Sequence, residues 1–500
     1  MLPYNFYRGW YKDVINEFGK VNNLSDTMLN ALARAYAQQA SNLLSDQYAL
    51  AVKSEMFPLE EGQNVLSQDQ LNAFRQWHDK SLETYLLLEK KNPDFNTFIG
   101  DIHNVYSNEV MAAFLTLTYF SKDEEARKEL EPGLYDDFVL KTARNYLLSC
   151  DSNAILFTNG DNDTYPLLYV QAFEKYRTDV TVINISLLGI KRYISSLFVE
   201  SSERQPVKFT IPQSYWNNSS DGYYYVASKT DTMNTQDALQ ICMNDDLSNP
   251  DRGYAIYPAR HSVLKWNDSD KISIYPREDY IFLNHLAMLD IISTNVSGRP
   301  VYFSITSNVP MIPTEFLLVE GLSYKVVPYQ TNDPKNNFYS GGIEPDSLLE
   351  KFKNVFQLPD LSKMKSSNRL HQMFVNTYRT IMYQSMVEFA NRKDTLHALE
   401  ILDLSEQYFP YSMVQANSYT IPVAQMLYQI GESARADKLA LQIIKGIEAD
   451  YPVEGSLPSD LQYAYSMFSY MESLLKENST DKELIQIITM MTLKYGKLSE

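Results

Sequence analysis

Cysteine is almost missing from this chain, since Cys150 and Cys242 are the only two in 500 residues. Two thiols cannot build the disulfide scaffold of a small secreted domain, and these carry no metal-ligand spacing, so buried thiols are expected. Cationic side chains are outnumbered: 44 Lys and Arg face 62 Asp and Glu, a formal charge of -18. With no cationic excess to neutralise phosphates, nucleic acid is excluded as a partner, and anionic membrane surfaces are disfavoured for the same reason. No apolar run approaches the roughly 18 to 20 residues that span a bilayer, so no transmembrane segment is expected in this chain. Histidine is scarce as well. None of His78, His103, His261, His285, His371 and His397 forms an i,i+4 pair or adjoins a candidate nucleophile. Zinc and serine–histidine chemistry are therefore unsupported. Neither standard phosphate-binding glycine loop is present. The start, Met1 to Trp10, lacks the basic end, apolar stretch and cleavage site of a signal peptide. Read alone, it suits a cytoplasmic protein, or one whose export segment lies upstream.

What is present is enough apolar material for several cores. The hydrophobic fraction is 44%, near the globular norm, and the length suggests two to four domains. Residues 1–150 read as a helical domain, possibly repeat-like. Asp26 to Leu44, Gln68 to Lys91, Phe98 to Phe120 and Leu134 to Leu148 carry apolar residues at three- and four-residue spacing. Residues 151–330 read as a Rossmann-like α/β domain with a β-rich insertion. Its strands are expected at Val207–Ile211, Tyr223–Ala227, Lys271–Tyr275 and Val301–Ile305, with two more around Gly321. A helix is expected over Asp279 to Ser293, and Trp216 to Gly222 is a strong loop signal. Residues 331–364 read as a linker and connecting helix. Residues 365–500 read as tetratricopeptide-like helices, because Ala398 and Ala440 each precede a proline (Pro410, Pro452) by twelve residues and mark close helix packing. The fold class is thus α/β plus all-α.

One stretch carries candidate chemistry. Asn153 to Thr158 is a short apolar run, Gly160 breaks it, and Leu167 to Tyr176 is helical in pattern, with a second β-branched run at Val180 to Leu188. Strand, helix and strand at this spacing form a βαβ unit, whose ligands gather beyond the carboxyl ends of the strands. Asn159, Asp161, Asn162 and Asp163 fall at that end, and Asn184 ends the second run, so these five are the candidate ligand-binding residues. Two carboxylates one residue apart offer hard oxygen ligands to a divalent cation or to sugar hydroxyls. Any metal would use Asp161 and Asp163; no other cofactor is implied. The simpler reading makes Asp163 or Thr164 the N-cap of the helix, with Pro166 in its first turn. Arg177 and Asp179 suit a local ion pair. Arg260 and His261 suit a surface strand, and Tyr223-Tyr-Tyr225 suits sheet packing rather than a sugar platform.

Leu147-Leu-Ser-Cys150, the Asn153–Pro166 stretch, Arg177-Thr-Asp-Val180, Val182 to Leu188, Met288 to Ile292, Arg299 to Phe303 and Val319 to Leu322 with Val327-Pro328 together resemble one family. Its members are large bacterial envelope proteins of unknown function, typical of Bacteroidetes, whose multi-span half resembles protein O-mannosyltransferases. The resemblance covers roughly residues 140 to 330, in the soluble half of such proteins, which often carries tetratricopeptide-like helices. It implies the α/β fold, the acidic turn and a periplasmic or cell-envelope location. The sugar-transfer chemistry suspected in that family belongs to the membrane half, which has no counterpart here, so no catalytic residue is carried over. The expectation is a non-catalytic envelope module recognising a protein or glycan partner. The alternative is a glycan-binding or glycosyl-transfer-associated domain acting at residues 160–164.

Overall fold

The computed structural model describes residues 9–44, 65–97, 100–201, 204–218, 222–227, 232–243, 255–331, 341–361 and 368–498. The chain is mixed α/β and mostly helical, with small sheets, and it divides into two compact units, Met1–Pro313 and Thr314–Glu500.

The first unit opens with α1 (Trp10–Phe18), α2 (Asp26–Leu43), α3 (Gln68–Lys91), α4 (Ile102–Tyr119), α5 (Asp123–Arg127) and α6 (Asp137–Leu148). Their starts follow from short polar side chains that accept orphan amides. Ser25 caps α2, Asp101 caps α4, Asp136 caps α6, and Ser67 with Gln70 forms a reciprocal capping box at α3. Buried Ala33 lets α3 approach α2 closely enough for the Ser81 hydroxyl to reach the Ala33 carbonyl at 2.9 Å. The helix expected from Phe98 begins at Ile102; Phe98 itself lies outside the described residues.

The α/β part follows as β1 (Ile155–Thr158), α7 (Asp161–Glu174), β2 (Thr181–Asn184), α8 (Lys191–Ser196), α9 (Gln213–Asn218), β3 (Tyr223–Val226), β4 (Met233–Asn234) and α10 (Thr235–Cys242). Then come β5 (Ala255–Tyr257), β6 (Ser262–Lys265), β7 (Lys271–Ile274), β8 (Tyr280–Phe282), α11 (Leu283–Asn295) and β9 (Val301–Ser304). β1 runs parallel to β2 and β9 on either side, with Ile155 opposite both Thr181 and Val301. All three strands are buried throughout, which is why they read as unbroken apolar runs rather than alternating ones. The β-rich insertion is two three-stranded sheets, ordered β5-β3-β8 and β4-β6-β7.

Two expectations here need correction. Val207–Ile211 is not a strand. Three of its amides are taken by α11 side chains instead: Thr210 and Ile211 donate to the Asp290 carboxylate at 2.7 and 2.9 Å, and Lys208 donates to Asn295 at 3.3 Å, while the Val207 amide donates to the Leu197 carbonyl at 2.9 Å. Side-chain acceptors thus replace a ladder, which local pattern cannot distinguish from a sheet partner. The helix expected from Asp279 begins only at Leu283, because Tyr280–Phe282 pairs antiparallel with β3. In the loop expected at Trp216 to Gly222, Trp216 to Asn218 are helical, and residues 219–221 lie outside the described residues.

The second unit begins with the hairpin β10 (Leu317–Glu320) and β11 (Ser323–Val326), and β12 (Gly342–Ile343) runs parallel to β10. The strand pair around Gly321 therefore forms as the sequence suggests, but it lies in the same compact unit as the C-terminal helices. The expected linker contains β12, α12 (Pro345–Glu350) and a π turn at Lys351–Val355, while residues 332–340 and 362–367 lie outside the described residues. The remaining helices are α13 (Arg369–Asn391), α14 (Thr395–Tyr408), α15 (Ile421–Gln429), α16 (Ser433–Asp450), α17 (Pro458–Asn478) and α18 (Lys482–Gly496). They pack as successive pairs, α13 on α14, α15 on α16 and α17 on α18. Ala398 and Ala440 are fully buried at helix contacts, in keeping with their small size.

Candidate functional site

The acidic turn is built by Gly160. Its φ of 81° turns the chain from β1 straight into α7, which opens at Asp161, and that backbone region favours glycine. Asp163 and Thr164 are accordingly inside the helix rather than its caps, and Pro166 lies beyond the first turn. The cap expectation is corrected, yet the side chains still serve the helix start.

Asp163 is buried and points back over the turn. Its carboxylate accepts from the Asn159 amide, from the Ser304 hydroxyl at 3.1 Å and from the Thr306 hydroxyl. Burial pushes its pKa up to about 6, with those donors opposing the rise. Thr164 donates to the Gly160 carbonyl at 2.7 Å and sits 2.7 Å from the Thr158 hydroxyl. Asn184 donates to Thr164 at 2.9 Å and to the Gly160 carbonyl at 3.3 Å, and it accepts from the Ser186 and Leu187 amides at 2.8 and 3.3 Å. Asp163 and Asn184 are thus framework. They fasten α7 to the ends of β9 and β2.

The other candidates face outward. Asn159 is exposed and accepts from the Ser186 hydroxyl at 2.8 Å. Asn162 accepts from Asn104 of α4 at 3.4 Å. Asp161 is exposed and hydrogen-bonded by Tyr165, yet its pKa is raised by desolvation. A carboxylate that touches solvent while protein crowds it occupies a recess. The facing wall comes from α4, which packs on α7 and α8. There Glu109 keeps a side chain 23% exposed. Its pKa is pushed up to about 7, first by burial and then by Asp161, with Arg34 opposing. Tyr119 and Tyr193 bring their rings to 5.4 Å. The Tyr135 hydroxyl is buried without a hydrogen-bond partner, within electrostatic reach of Asp161 and Tyr165. Behind Glu109, His78 lies at 3.8 Å and is kept neutral at pH 7 by burial, its pKa falling to about 4.

The two aspartates therefore have different neighbours: Asp163 meets Asn159, Ser304 and Thr306, and Asp161 meets Tyr165. Among the described residues, no group of three or more His, Cys, Asp or Glu is placed to hold a metal ion. What Asp161 and Glu109 offer is a pair of carboxyl groups, with the Tyr165 phenol already donated to Asp161, and carboxylate acceptors suit ligand hydroxyls. Glu109, Tyr119, Tyr135 and Tyr193 carry no motif in the sequence, because three-dimensional packing alone brings α4, α7 and α8 together.

This division predicts a contrast at Asp163. Asp163→Asn keeps the shape and one acceptor and removes a buried charge, so stability at pH 7 should change by about 1 kcal/mol or less. Asp163→Ala strands three donors and should cost roughly 2–4 kcal/mol. Urea titration of both variants checks this; equal losses would mean that the charge itself holds the turn.

No curated protein matches the chain. No solved structure matches it either. Residues 139–346, which hold β1, α7, β2 and the β-rich insertion, match the family model described as TMEM260-associated domain 2.

Proposed function

We propose that this chain is a non-catalytic binding module of the cell envelope that takes a glycan in the recess over Asp161. The observation that carries the reading is the split between the two aspartates: Asp163 is saturated by three internal donors, whereas Asp161 keeps an exposed carboxylate beside Tyr165. Glu109, with a pKa near neutral, is available both as acceptor and, when protonated, as donor to sugar hydroxyls. We read β1, α7 and β2 as the centre of a Rossmann-like domain and the C-terminal helix pairs as a tetratricopeptide-like scaffold. The recess lies at the carboxyl ends of the strands, where such sheets take ligands. The cell-envelope location rests on the resemblance to Bacteroidetes proteins with a mannosyltransferase-like membrane half. In that setting the module presents a glycan to a membrane-bound partner.

Calorimetric titration of wild type, Asp161→Asn and Asp163→Asn with calcium, magnesium and a glycan panel tests this. Glycan affinity should fall by about tenfold or more in Asp161→Asn, the loss of a hydrogen bond to a charged group, and persist in Asp163→Asn. Undiminished binding by Asp161→Asn would move the site elsewhere. Well-folded wild type that binds no glycan would remove the reading.

A further inference from the structure

We infer that the outward face of the β3–β8 pair is a second, separate ligand surface, a platform for a neutral oligosaccharide. It does not rest on the recess over Asp161.

The platform follows from strand alternation. β3 and β8 pair antiparallel with Tyr223 opposite Phe282, Tyr224 opposite Ile281 and Tyr225 opposite Tyr280. Tyr224 and Ile281 point inward and are buried, which is the sheet packing expected of this run. The other four point outward, at 44% exposure for Tyr223, 38% for Tyr225, 40% for Tyr280 and 48% for Phe282. Four exposed aromatic rings in two cross-strand pairs form one continuous patch, and such patches on soluble proteins mark interaction sites.

The geometry of the rings favours a sugar. Tyr223 meets Tyr225 at 5.4 Å and 77°, Tyr223 meets Tyr280 at 6.4 Å and 73°, and Tyr280 meets Phe282 at 5.1 Å and 73°. Each edge-on contact occupies one face of one ring of the pair, and at 38–48% exposure the four side chains still keep much of their surface open to solvent. Three of the four rings also carry a hydroxyl, so the surface offers flat apolar faces with polar tips. That combination matches the C–H face and hydroxyl rim of a pyranose. From Arg204 to Pro313, every exposed large hydrophobic side chain among the described residues is aromatic. A protein-docking face would be expected to add aliphatic or methionine side chains to its core.

The charges around the patch select a neutral occupant. Arg260 pairs with Asp279, the residue before β8, and donates to the Glu278 carbonyl at 3.1 Å. The Arg260 charge is thus neutralised within the protein. At the other end the His285 ring lies 6.1 Å from Phe282, and burial lowers its pKa, leaving it uncharged at pH 7. Among the described residues the remaining exposed charges just ahead of β8 are Arg277 and Glu278, one of each sign, so no net charge there favours an anionic or a cationic polymer.

The experiment is titration of the whole chain with three neutral hexasaccharides: β-1,4-linked glucose, α-1,4-linked glucose and β-1,4-linked N-acetylglucosamine. Wild type is expected to bind at least one of them. Tyr223→Ala/Tyr280→Ala should lose about tenfold in affinity or more, because two ring faces are removed. Tyr223→Phe/Tyr280→Phe should keep most of it, and Tyr223→Leu/Tyr280→Leu should not, which separates ring stacking from general hydrophobicity. Every variant is also titrated in the Asp161→Asn background, which weakens binding at the recess, so that failure here and failure of the recess reading are told apart. All three positions changed are exposed, and an unchanged melting curve verifies folding. No binding of any of the three probes by folded wild type, or binding that survives the double alanine variant, overturns the proposal.

Discussion

Gly446→Ala should be among the most damaging single changes in this chain, costing about 3 kcal/mol or more and lowering the melting temperature of the C-terminal unit. In an ordinary helix the same change gains up to about 1 kcal/mol, because alanine is the better helix former. The position decides the sign. Gly446 lies in α16, and a Cβ built there would stand 1.6 Å from the Ala416 carbonyl oxygen and 2.8 Å from its carbon. Backbone, unlike a side chain, cannot rotate aside. Nor can the loop withdraw, because buried Arg379 holds it from the other side. Its guanidinium donates to the Phe409 carbonyl at 2.7 Å, to the Val414 carbonyl at 2.7 Å and to the Gln415 carbonyl at 3.3 Å. Thermal denaturation of Gly446→Ala checks the expectation. A melting curve equal to or above wild type would show that α16 and this loop are not in contact.

The second large effect is expected at Asp290. Its buried carboxylate accepts from the Thr210 and Ile211 amides and from the Thr294 hydroxyl at 3.1 Å. The segment it holds also positions fully buried Trp216, whose indole donates to the Ile211 carbonyl at 3.2 Å. Asp290→Ala leaves two amides without their acceptor and should cost roughly 3–5 kcal/mol. The wild-type residue carries a pH signature as well. Burial pushes its pKa up to about 6, from an ordinary value near 3.9. Because the folded pKa is the higher one, the folded chain binds the proton more readily between those values. The penalty for the charge is therefore fully present above pH 6 and is relieved as pH falls towards 4. Relative to Asp290→Asn, the wild type should gain up to roughly 3 kcal/mol between pH 7 and pH 4. Urea titrations of the two proteins across that range measure it, and a pH-independent difference would mean that Asp290 titrates normally. Asp163, pushed up to about 6 by the same cause, should behave alike.

Much of this was legible along the chain because it is local. The strand–helix–strand order around Gly160 and the strand pair at Gly321 each depend on residues within a few positions of one another. The Arg177–Asp179 pair, at 2.7 Å, is of the same kind. Apart from the cap at Asp163 or Thr164, the errors were non-local. Val207–Ile211 has the composition of a strand, but its hydrogen-bond partners come from α11, some eighty residues away. Tyr280–Phe282 reads as the start of a helix until β3 pairs with it.

The sequence by itself determined most of the helices, the buried strands β1, β2 and β9 and the turn at Gly160, since propensity, composition and backbone conformation act over short range. Tertiary structure alone decided which aspartate is framework and which faces the recess. It also brought Glu109 of α4 within electrostatic reach of Asp161, and turned Tyr223 and Tyr225 outward while Tyr224 is buried. The physical reason is common to all three. Burial and solvent contact depend on what packs against a side chain, and that neighbour is brought by the fold from a distant part of the chain.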